Sequence, residues 1–201
     1  MTEYLVPYAN AESEFEEKRS RFISHVFLVE SEAEARARID EMKKKYYDAR
    51  HNCWCFVLHD GTVRYGDDGE PQGTAGQPML NVFQRENVEN VVCIVTRYFG
   101  GILLGTGGLV RAYQGSVKLG LEGLPVTLRE DMRRFVVSIE PHQVSDFQHF
   151  LAESRGRVQS SDFRFDATFE VLVPSDEADA FVERLSEATA GEALIDPIDE
   201  E

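Results

Sequence analysis

The alternation of apolar and polar residues is clearest in the last third of the chain. Residues 134–139 alternate as a strand does, whereas the segment after Pro141 repeats its apolar residues every three or four positions, as a helix does. The same pattern then recurs and predicts the order β-α-β-β-α-β, which is the ferredoxin-like motif. The predicted strands are 134–139, 157–161, 164–173 and 192–198, and the predicted helices are 141–151 and 176–189.

The predicted strands of this region keep their aromatic residues on one face. Phe135, Phe165 and Phe169 share the inward face with Val171 and Val173, and the opposite face is mixed in charge without an aromatic residue. RNA-recognition sheets stack bases on exposed aromatic side chains. We therefore expect no base stacking here, and a protein partner or docking into a larger assembly suits this region better.

The first 125 residues predict a mixture of strands and helices. Ser31 and Glu34 have the spacing of a helix capping box. The nearly continuous apolar runs 53–58 and 91–95 predict strands that are covered on both faces. The predicted elements are strands within 4–30, a helix at 31–46, strands at 53–58, 63–65 and 91–95, and helices at 78–85 and 108–123.

Composition indicates a soluble globular protein of one or two domains. The chain has 201 residues, of which 42% are hydrophobic and 10% aromatic. It has no apolar run of about 18 residues and no basic-then-apolar N-terminus, so we expect no membrane segment, no signal peptide and a cytoplasmic location. The three cysteines lie in apolar runs, which favours buried, reduced thiols.

The net charge of −15 is unevenly spread along the chain. Residues 1–125 hold 14 Lys and Arg against 18 Asp and Glu, a net of −4; residues 126–201 hold 7 against 18, a net of −11. The asymmetry predicts two domains, 1–125 and 126–201. It argues against general nucleic-acid binding by the second, because such affinity rests mainly on neutralising phosphates. A salt-adapted proteome could also produce this acidic surface.

Glycine is concentrated between Asp67 and Tyr113, a segment that contains both Gly-Gly pairs of the chain. Ordering glycine is entropically costly, so either the backbone turns through positive φ or something approaches it closely. A strand, a glycine-rich turn and a helix N-terminus can together bind an anion. Tight packing of the helix on the sheet is the alternative. The candidate anion-binding residues are Arg97, Gly100, Gly101, Gly105, Thr106, Gly107, Gly108 and Arg111.

An acidic turn precedes the glycine-rich segment. Asp67, Asp68 and Glu70 are candidate Mg²⁺ ligands, although Asp capping of local backbone N–H groups is the simpler interpretation. The segment lacks the Gly-Lys-Ser/Thr of a P-loop and the spacing of a dinucleotide fingerprint. Because no base or nucleophile is fixed beside the turn, the sequence assigns no catalytic residue and requires no cofactor.

Other basic residues are candidates for surface contacts. His51 alternates with Cys53 and Cys55, but these are too few ligands at unsuitable spacing for a metal site, so a packed or hydrogen-bonded histidine is favoured. Arg50 and His51 could line the same surface as Arg97. The candidate surface contacts are Lys18, Arg21, Arg50 and His51.

Four segments together resemble the IMPACT family, in particular its bacterial YigZ-like members. They are Lys18–Ile23, Asp48–Cys53, Asp67–Leu80 and Val95–Tyr113, and the resemblance covers nearly the whole chain. It implies an α+β protein whose N-terminal domain is like the second domain of ribosomal protein S-five. It also implies a ferredoxin-like C-terminal domain similar to the last domain of elongation factor G. Eukaryotic relatives regulate translation during starvation by competing for a partner of a protein kinase; bacteria lack that pathway, so only the translation theme carries over.

We therefore expect a non-catalytic binding or regulatory protein connected with translation. Its contact surface would comprise Arg97, the 100–108 loop, Arg111 and the acidic turn 67–70. The expected partner is the ribosome, a structured RNA or a translation-associated protein. One alternative is a Mg²⁺-dependent enzyme acting on nucleotides or phosphate esters at Asp67, Asp68 and Glu70. The other is a pure protein-interaction module without nucleic-acid contact.

Overall fold

The chain divides into two compact units, Tyr4–Arg129 and a unit from Glu130 onward that includes Glu3. The structure is a computed structural model that describes residues 3–163 and 166–198, so Phe165 and Arg164 of the predicted third strand lie outside the described residues. Strand β1 (Glu3–Pro7) pairs with a later strand, Val126–Glu130. This pairing places residues 126–129 with the first unit, whereas the sequence pattern puts the boundary after Pro125.

A five-stranded antiparallel sheet forms the centre of the first unit. Helix α1 (Glu32–Lys45) packs on one face, and α2 (Gly76–Arg85) and α3 (Thr106–Glu122) pack on the other. The central strand, β6 (Val91–Tyr98), is buried along most of its length because both of its faces are covered. The strands are β2 (Ala11–Glu17), β3 (Ser20–Leu28), β4 (His51–Val57), β5 (Val63–Gly66) and β6 (Val91–Tyr98), in the spatial order β2-β3-β6-β4-β5.

Helices α1 and α2 begin where Ser31 and Asp67 accept hydrogen bonds from their first amides, whereas α3 begins without a side-chain cap. Ser31 accepts a hydrogen bond from the Glu34 amide at 3.3 Å, but the Glu34 carboxylate binds the amide of Glu30, so the predicted capping box is half formed. Helices α2 and α3 each start two residues earlier than the pattern predicts. For α3 the reason is Gly105, whose positive φ of 71° turns the chain directly before the helix.

A buried histidine in β3 links the stability of this unit to pH. His25 is 3% exposed, its Nε2 lies 2.9 Å from the Tyr46 hydroxyl, and its Nδ1 lies 3.4 Å from a carboxylate oxygen of Glu12. Burial lowers the pKa of His25 below its ordinary value of 6.5, and Lys45 lowers it further while Glu12 and Glu41 oppose the shift. The unfolded chain therefore binds a proton at a pH where the folded chain does not.

We expect the free energy of unfolding to decrease as pH falls below about 6.5, and to do so more steeply in the wild type than in His25→Gln. The stability contributed by the neutral imidazole is fully present above the unfolded pKa and is lost as pH falls through the folded pKa. Urea unfolding of both proteins at pH 7.5, 6.5, 5.5 and 5.0 measures the difference. Parallel pH curves for the two proteins would contradict the assignment to His25.

The second unit confirms the predicted order β-α-β-β-α-β. Its four strands form an antiparallel sheet, and its two α-helices pack against one face of this sheet. Strand alternation buries Phe135 and Phe169 on that face, and they are the aromatic residues of the described strands here. The elements, after β7 (Val126–Glu130), are β8 (Met132–Ile139), a 3₁₀ turn at Pro141–Gln143, α4 (Val144–Ala152), β9 (Arg157–Asp162), β10 (Ala167–Pro174), α5 (Ala178–Ala188) and β11 (Leu194–Ile198). The spatial order of the strands is β11-β8-β10-β9.

The helices of the part of the chain that the structure describes are either too short or too polar to cross a membrane.

Candidate functional site

Three connecting segments of the first unit meet at one end of its sheet. Strands β3 and β4 both begin where the antiparallel strand β6 ends, since Arg21 pairs with Tyr98 and His51 pairs with Arg97. The 18–19 turn, the 46–50 segment and the glycine-rich loop 99–105 therefore come together there. The sequence-predicted residues Arg50, His51, Glu70 and Arg97 line a common cavity with this loop.

The cavity has a volume of about 380 Å³ and two chemically different kinds of wall. The apolar wall is made by Pro71, Phe99, Leu103, Leu104 and Leu109. The polar groups belong to Arg50, His51, Glu70, Arg97 and Thr106, with the start of α3 at Gly105. Small-molecule sites in proteins commonly have this size and this mixture of an apolar lining with a few placed polar groups.

A buried ion pair forms the floor of the site. Arg97 Nη1 donates to Glu70 Oε1 at 2.6 Å, and Nη2 donates to Ser20 Oγ at 3.3 Å. The guanidinium also lies over the rings of Phe22 and Phe99. The Arg97 side chain is only 6% exposed, so its charge is neutralised inside the protein. Arg97, a candidate anion-binding residue, thus has the carboxylate of Glu70 as its main partner.

Tyr113 completes this buried network, and the sequence reasoning missed its role. Its hydroxyl donates to Glu70 Oε1 at 2.8 Å and accepts from the Cys53 thiol at 3.3 Å. Burial raises the pKa of both Tyr113 and Cys53 well above their ordinary values. The thiol thus stays protonated and is no nucleophile at neutral pH. The available signal was a tyrosine on the inner face of a helix, because a buried hydroxyl needs a partner.

His51 is part of the cavity wall rather than of the exposed surface. Its Nδ1 lies 2.8 Å from the backbone carbonyl oxygen of Asp68, and a carbonyl only accepts, so Nδ1 carries the proton. In the neutral ring Nε2 is then an acceptor. This atom lies 3.9 Å from Glu70 Oε2, and the His51 residue is 9% exposed. The prediction of His51 as a surface contact is corrected accordingly.

The carboxylates of the acidic turn do not converge on one point. Asp67 accepts hydrogen bonds from the amides of Gly73, Ala75 and Gly76, and so caps the start of α2. Asp68 accepts from the amide of Asn52 and from Lys43 Nζ. Glu70 is committed to Arg97 and Tyr113. Within residues 3–163 and 166–198, no group of three or more His, Cys, Asp or Glu side chains could hold a metal ion. The capping interpretation describes Asp67, and the predicted Mg²⁺ ligand set is not assembled.

The glycines of the loop serve both of the purposes that the sequence left open. A Cβ on Gly100 would lie 2.0 Å from backbone atoms of Arg19, so this position requires the close approach that only glycine allows. Gly105 supplies the positive φ before α3 and, having no side chain, leaves the first amides of the helix without a side-chain cap. Gly107 faces open space except for Arg111 Nη1, and Gly108 packs on Leu104.

The rim of the site combines exposed cations with exposed apolar side chains. Lys18 is exposed in a two-residue turn of positive φ, and Arg50 lies over the ring of Phe99 at 6.0 Å. Arg21 is instead engaged by Glu14 through two hydrogen bonds of 2.5 and 2.7 Å. The apolar side chain of Leu103 in the glycine-rich loop is 81% exposed. The rim could therefore contact both a phosphate group and an apolar surface.

Comparison with known proteins identifies the family. Residues 18–121 match the family model of the Impact N-terminal domain, and residues 137–192 match that of a domain of unknown function (DUF1949). The chain belongs to the IMPACT family. The match to the Impact N-terminal domain spans every residue of the candidate site described above.

Relatives in bacteria align over nearly the full chain. The IMPACT family member YvyE of Bacillus subtilis is 39% identical, covering 96% of this chain and 89% of the relative. YigZ of Escherichia coli is 33% identical with full coverage of both chains. A Dictyostelium discoideum IMPACT homolog is 38% identical over 44% of this chain and 27% of its own length. A crystal structure described as a hypothetical protein has 32% identity, full coverage of both chains and a TM-score of 0.66.

Proposed function

We propose that this IMPACT family protein is a non-catalytic binding or regulatory protein connected with translation. Its contact surface would be the cavity end of the first unit: Arg50, Phe99, the 100–108 loop and Arg111. The partner would be the ribosome, a structured RNA or a translation-associated protein. Membership of the IMPACT family implies domains like the second domain of ribosomal protein S-five and the last domain of elongation factor G, and this implied likeness supports the theme, although likeness of fold alone does not define a function.

One observation carries the proposal: a cavity with a cationic rim and exposed apolar side chains adjoins the uncapped start of α3. Backbone amides at a helix N-terminus and exposed arginines suit phosphate, and the exposed side chains of Ile102 and Leu103 suit a macromolecular surface. The buried Cys53 thiol is not activated, and each carboxylate of the acidic turn already accepts at least one hydrogen bond from a different part of the protein. These features favour binding over the Mg²⁺-dependent enzyme that the acidic turn suggested.

The test is ribosome co-sedimentation across a salt series with the double variant Arg50→Gln/Arg111→Gln. Both residues are exposed, so the variant removes two positive charges from the rim without disturbing the buried Arg97–Glu70 pair. We expect binding that weakens with salt, and a salt slope that is shallower in the variant by about 1 for each phosphate that the protein no longer neutralises.

The matched control is Arg36→Gln/Arg38→Gln, which removes the same charge from α1 on the other face of the sheet. It should co-sediment like the wild type. No co-sedimentation of the wild type even at low salt would overturn the direct ribosome contact. An equal decrease of binding in the two double variants would show that net charge, and not the cavity end, governs binding. Recovery of one defined protein partner after nuclease treatment would favour the protein-interaction alternative.

A further inference from the structure

Two acceptor atoms of residues that line the cavity have no hydrogen-bond donor among the residues that the structure describes. Glu70 Oε1 already accepts from Arg97 and Tyr113, whereas Oε2 accepts no hydrogen bond within residues 3–163 and 166–198 and has His51 Nε2 at 3.9 Å. Nε2 is itself an acceptor in the neutral ring, because Nδ1 donates to Asp68. The Glu70 side chain is 3% exposed and the His51 side chain is 11% exposed, and both residues line the cavity. Acceptor atoms in a cavity wall that have no donor from the protein suit a ligand that donates hydrogen bonds.

The distance between the two acceptor atoms and the charge of the cavity wall restrict the kind of donor group that can bind there. One amino nitrogen about 2.9 Å from each acceptor fits between two atoms that are 3.9 Å apart, and it uses both of its hydrogens. The Glu70 charge is already compensated by Arg97, so a second cation at this place would be repelled by the guanidinium. A neutral amino group on a flat ring is therefore favoured over an ammonium group. Phe99 and Pro71 in the same cavity provide apolar surface for such a ring.

The start of α3 supplies the complementary end of the cavity. Gly105 and Thr106 line it, and the first amides of α3 lack a side-chain cap. Arg111 Nη1 lies beside Gly107 in the first turn of the helix. Unsatisfied amides, the positive end of the helix dipole and a nearby guanidinium together favour a phosphate group.

We propose that this cavity binds a single nucleotide whose base carries an exocyclic amino group. The amino group lies between Glu70 Oε2 and His51 Nε2, and the 5′-phosphate lies at the start of α3. The inference rests on the proposed function only in that the nucleotide could belong to an RNA strand; a free mononucleotide presents the same chemistry. The cavity volume of about 380 Å³ lies in the range of small-ligand sites.

The experiment is calorimetric titration of the full chain with cytidine and uridine 5′-monophosphates. The two ligands differ where cytosine presents an amino donor and uracil a carbonyl acceptor. We expect CMP to bind at least about tenfold more tightly than UMP, which corresponds to one well-made polar discrimination. Equal affinity for CMP and UMP, or no binding of CMP or AMP at millimolar concentration, would overturn the proposal.

The phosphate end is tested with Thr106→Asp against Thr106→Asn. Thr106 is exposed and lies in the first turn of α3, where an acidic side chain stabilises a helix, so Thr106→Asp should fold at least as well as Thr106→Asn. The two side chains have nearly the same shape and differ in charge. We expect CMP affinity to be about tenfold lower in Thr106→Asp, because its carboxylate repels the phosphate. Equal CMP affinity in the two variants would refute the placement of the phosphate.

A further titration with tetracytidylate distinguishes an RNA strand from a free mononucleotide as the source of the bound nucleotide. Tighter binding of the tetramer than of CMP would assign the site to RNA, and tighter binding of CMP would assign it to the free nucleotide. The outcome is separable from ribosome co-sedimentation: CMP binding without co-sedimentation retains the nucleotide site and removes the ribosome contact, whereas co-sedimentation without CMP binding does the reverse.

Discussion

Replacing Arg97 by methionine should lower the free energy of unfolding by about 3–5 kcal/mol, the range typical of removing one partner from a buried ion pair. The decrease arises mainly from Glu70, whose carboxylate is 3% exposed and would remain buried without its counter-charge. Urea unfolding followed by fluorescence measures the change in the relevant unit, since Trp54 in β4 is the only tryptophan of the chain.

Two further variants test the cause of this decrease. In Arg97→Met/Glu70→Gln no charge is left unpaired and Tyr113 keeps an acceptor, so the double variant should be more stable than Arg97→Met alone. Arg21→Met, in the neighbouring strand, removes an exposed arginine from its pair with Glu14 and should change stability little. Equal destabilisation by Arg97→Met and Arg21→Met would show that burial of the pair is not what matters.

Replacing Gly100 by alanine should destabilise the first unit by about 3 kcal/mol or more, the upper end of the cost of overpacking. The added Cβ would lie 2.0 Å from the carbonyl carbon and oxygen of Arg19 and 2.5 Å from the amide nitrogen of Ser20. These are backbone atoms, so no rotamer change relieves the clash. The glycine loop must move away from the 18–19 turn, which also breaks the bond from the Gly100 amide to Ser20 Oγ.

Gly107→Ala is the matched control for this prediction. It lies in the same glycine-rich segment, but its added Cβ would meet only the end of the Arg111 side chain, at 3.5 Å. Alanine in a helical turn is favoured over glycine by up to about 1 kcal/mol, so this variant should be as stable as the wild type or more stable. Thermal unfolding of both variants gives the comparison. A Gly100→Ala protein as stable as Gly107→Ala would contradict the close approach of loop and turn.

The fold of the second unit could be predicted from its sequence because β8, β10 and both helices each have one covered face. Phe135, Val137 and the other alternating residues of the strands are buried, and Phe147 and Leu151 follow the helical period. The spacing of apolar residues along the chain was therefore enough to predict the order of strands and helices. In the first unit the helix starts were less accurate, because Gly105 and the capping of α2 by Asp67 depend on backbone turns rather than on apolar spacing.

The location of the candidate site could be predicted better than the roles of its residues. Arg97 and the glycine loop were identified from composition, and they do line the cavity. That Arg97 is neutralised depends on Glu70, 27 residues earlier, and on the Tyr113 hydroxyl, and no local pattern reveals such a long-range pairing. The proton position of His51 likewise depends on the carbonyl of Asp68, a backbone atom that sequence spacing does not place.

The hydrogen bonds accepted by the Asp67 carboxylate limit the conformational entropy that the protein loses when a ligand enters the cavity. This carboxylate accepts hydrogen bonds of 2.7 to 3.1 Å from the amides of Gly73, Ala75 and Gly76, and so holds the two ends of the 67–76 segment together. The segment resembles a loose acidic turn in its composition, yet its amides should exchange slowly with solvent deuterium, as those of a strand do. The cavity wall at Gly69–Pro71 is thus largely ordered before any ligand arrives, and a ligand bound there loses little affinity to ordering this wall.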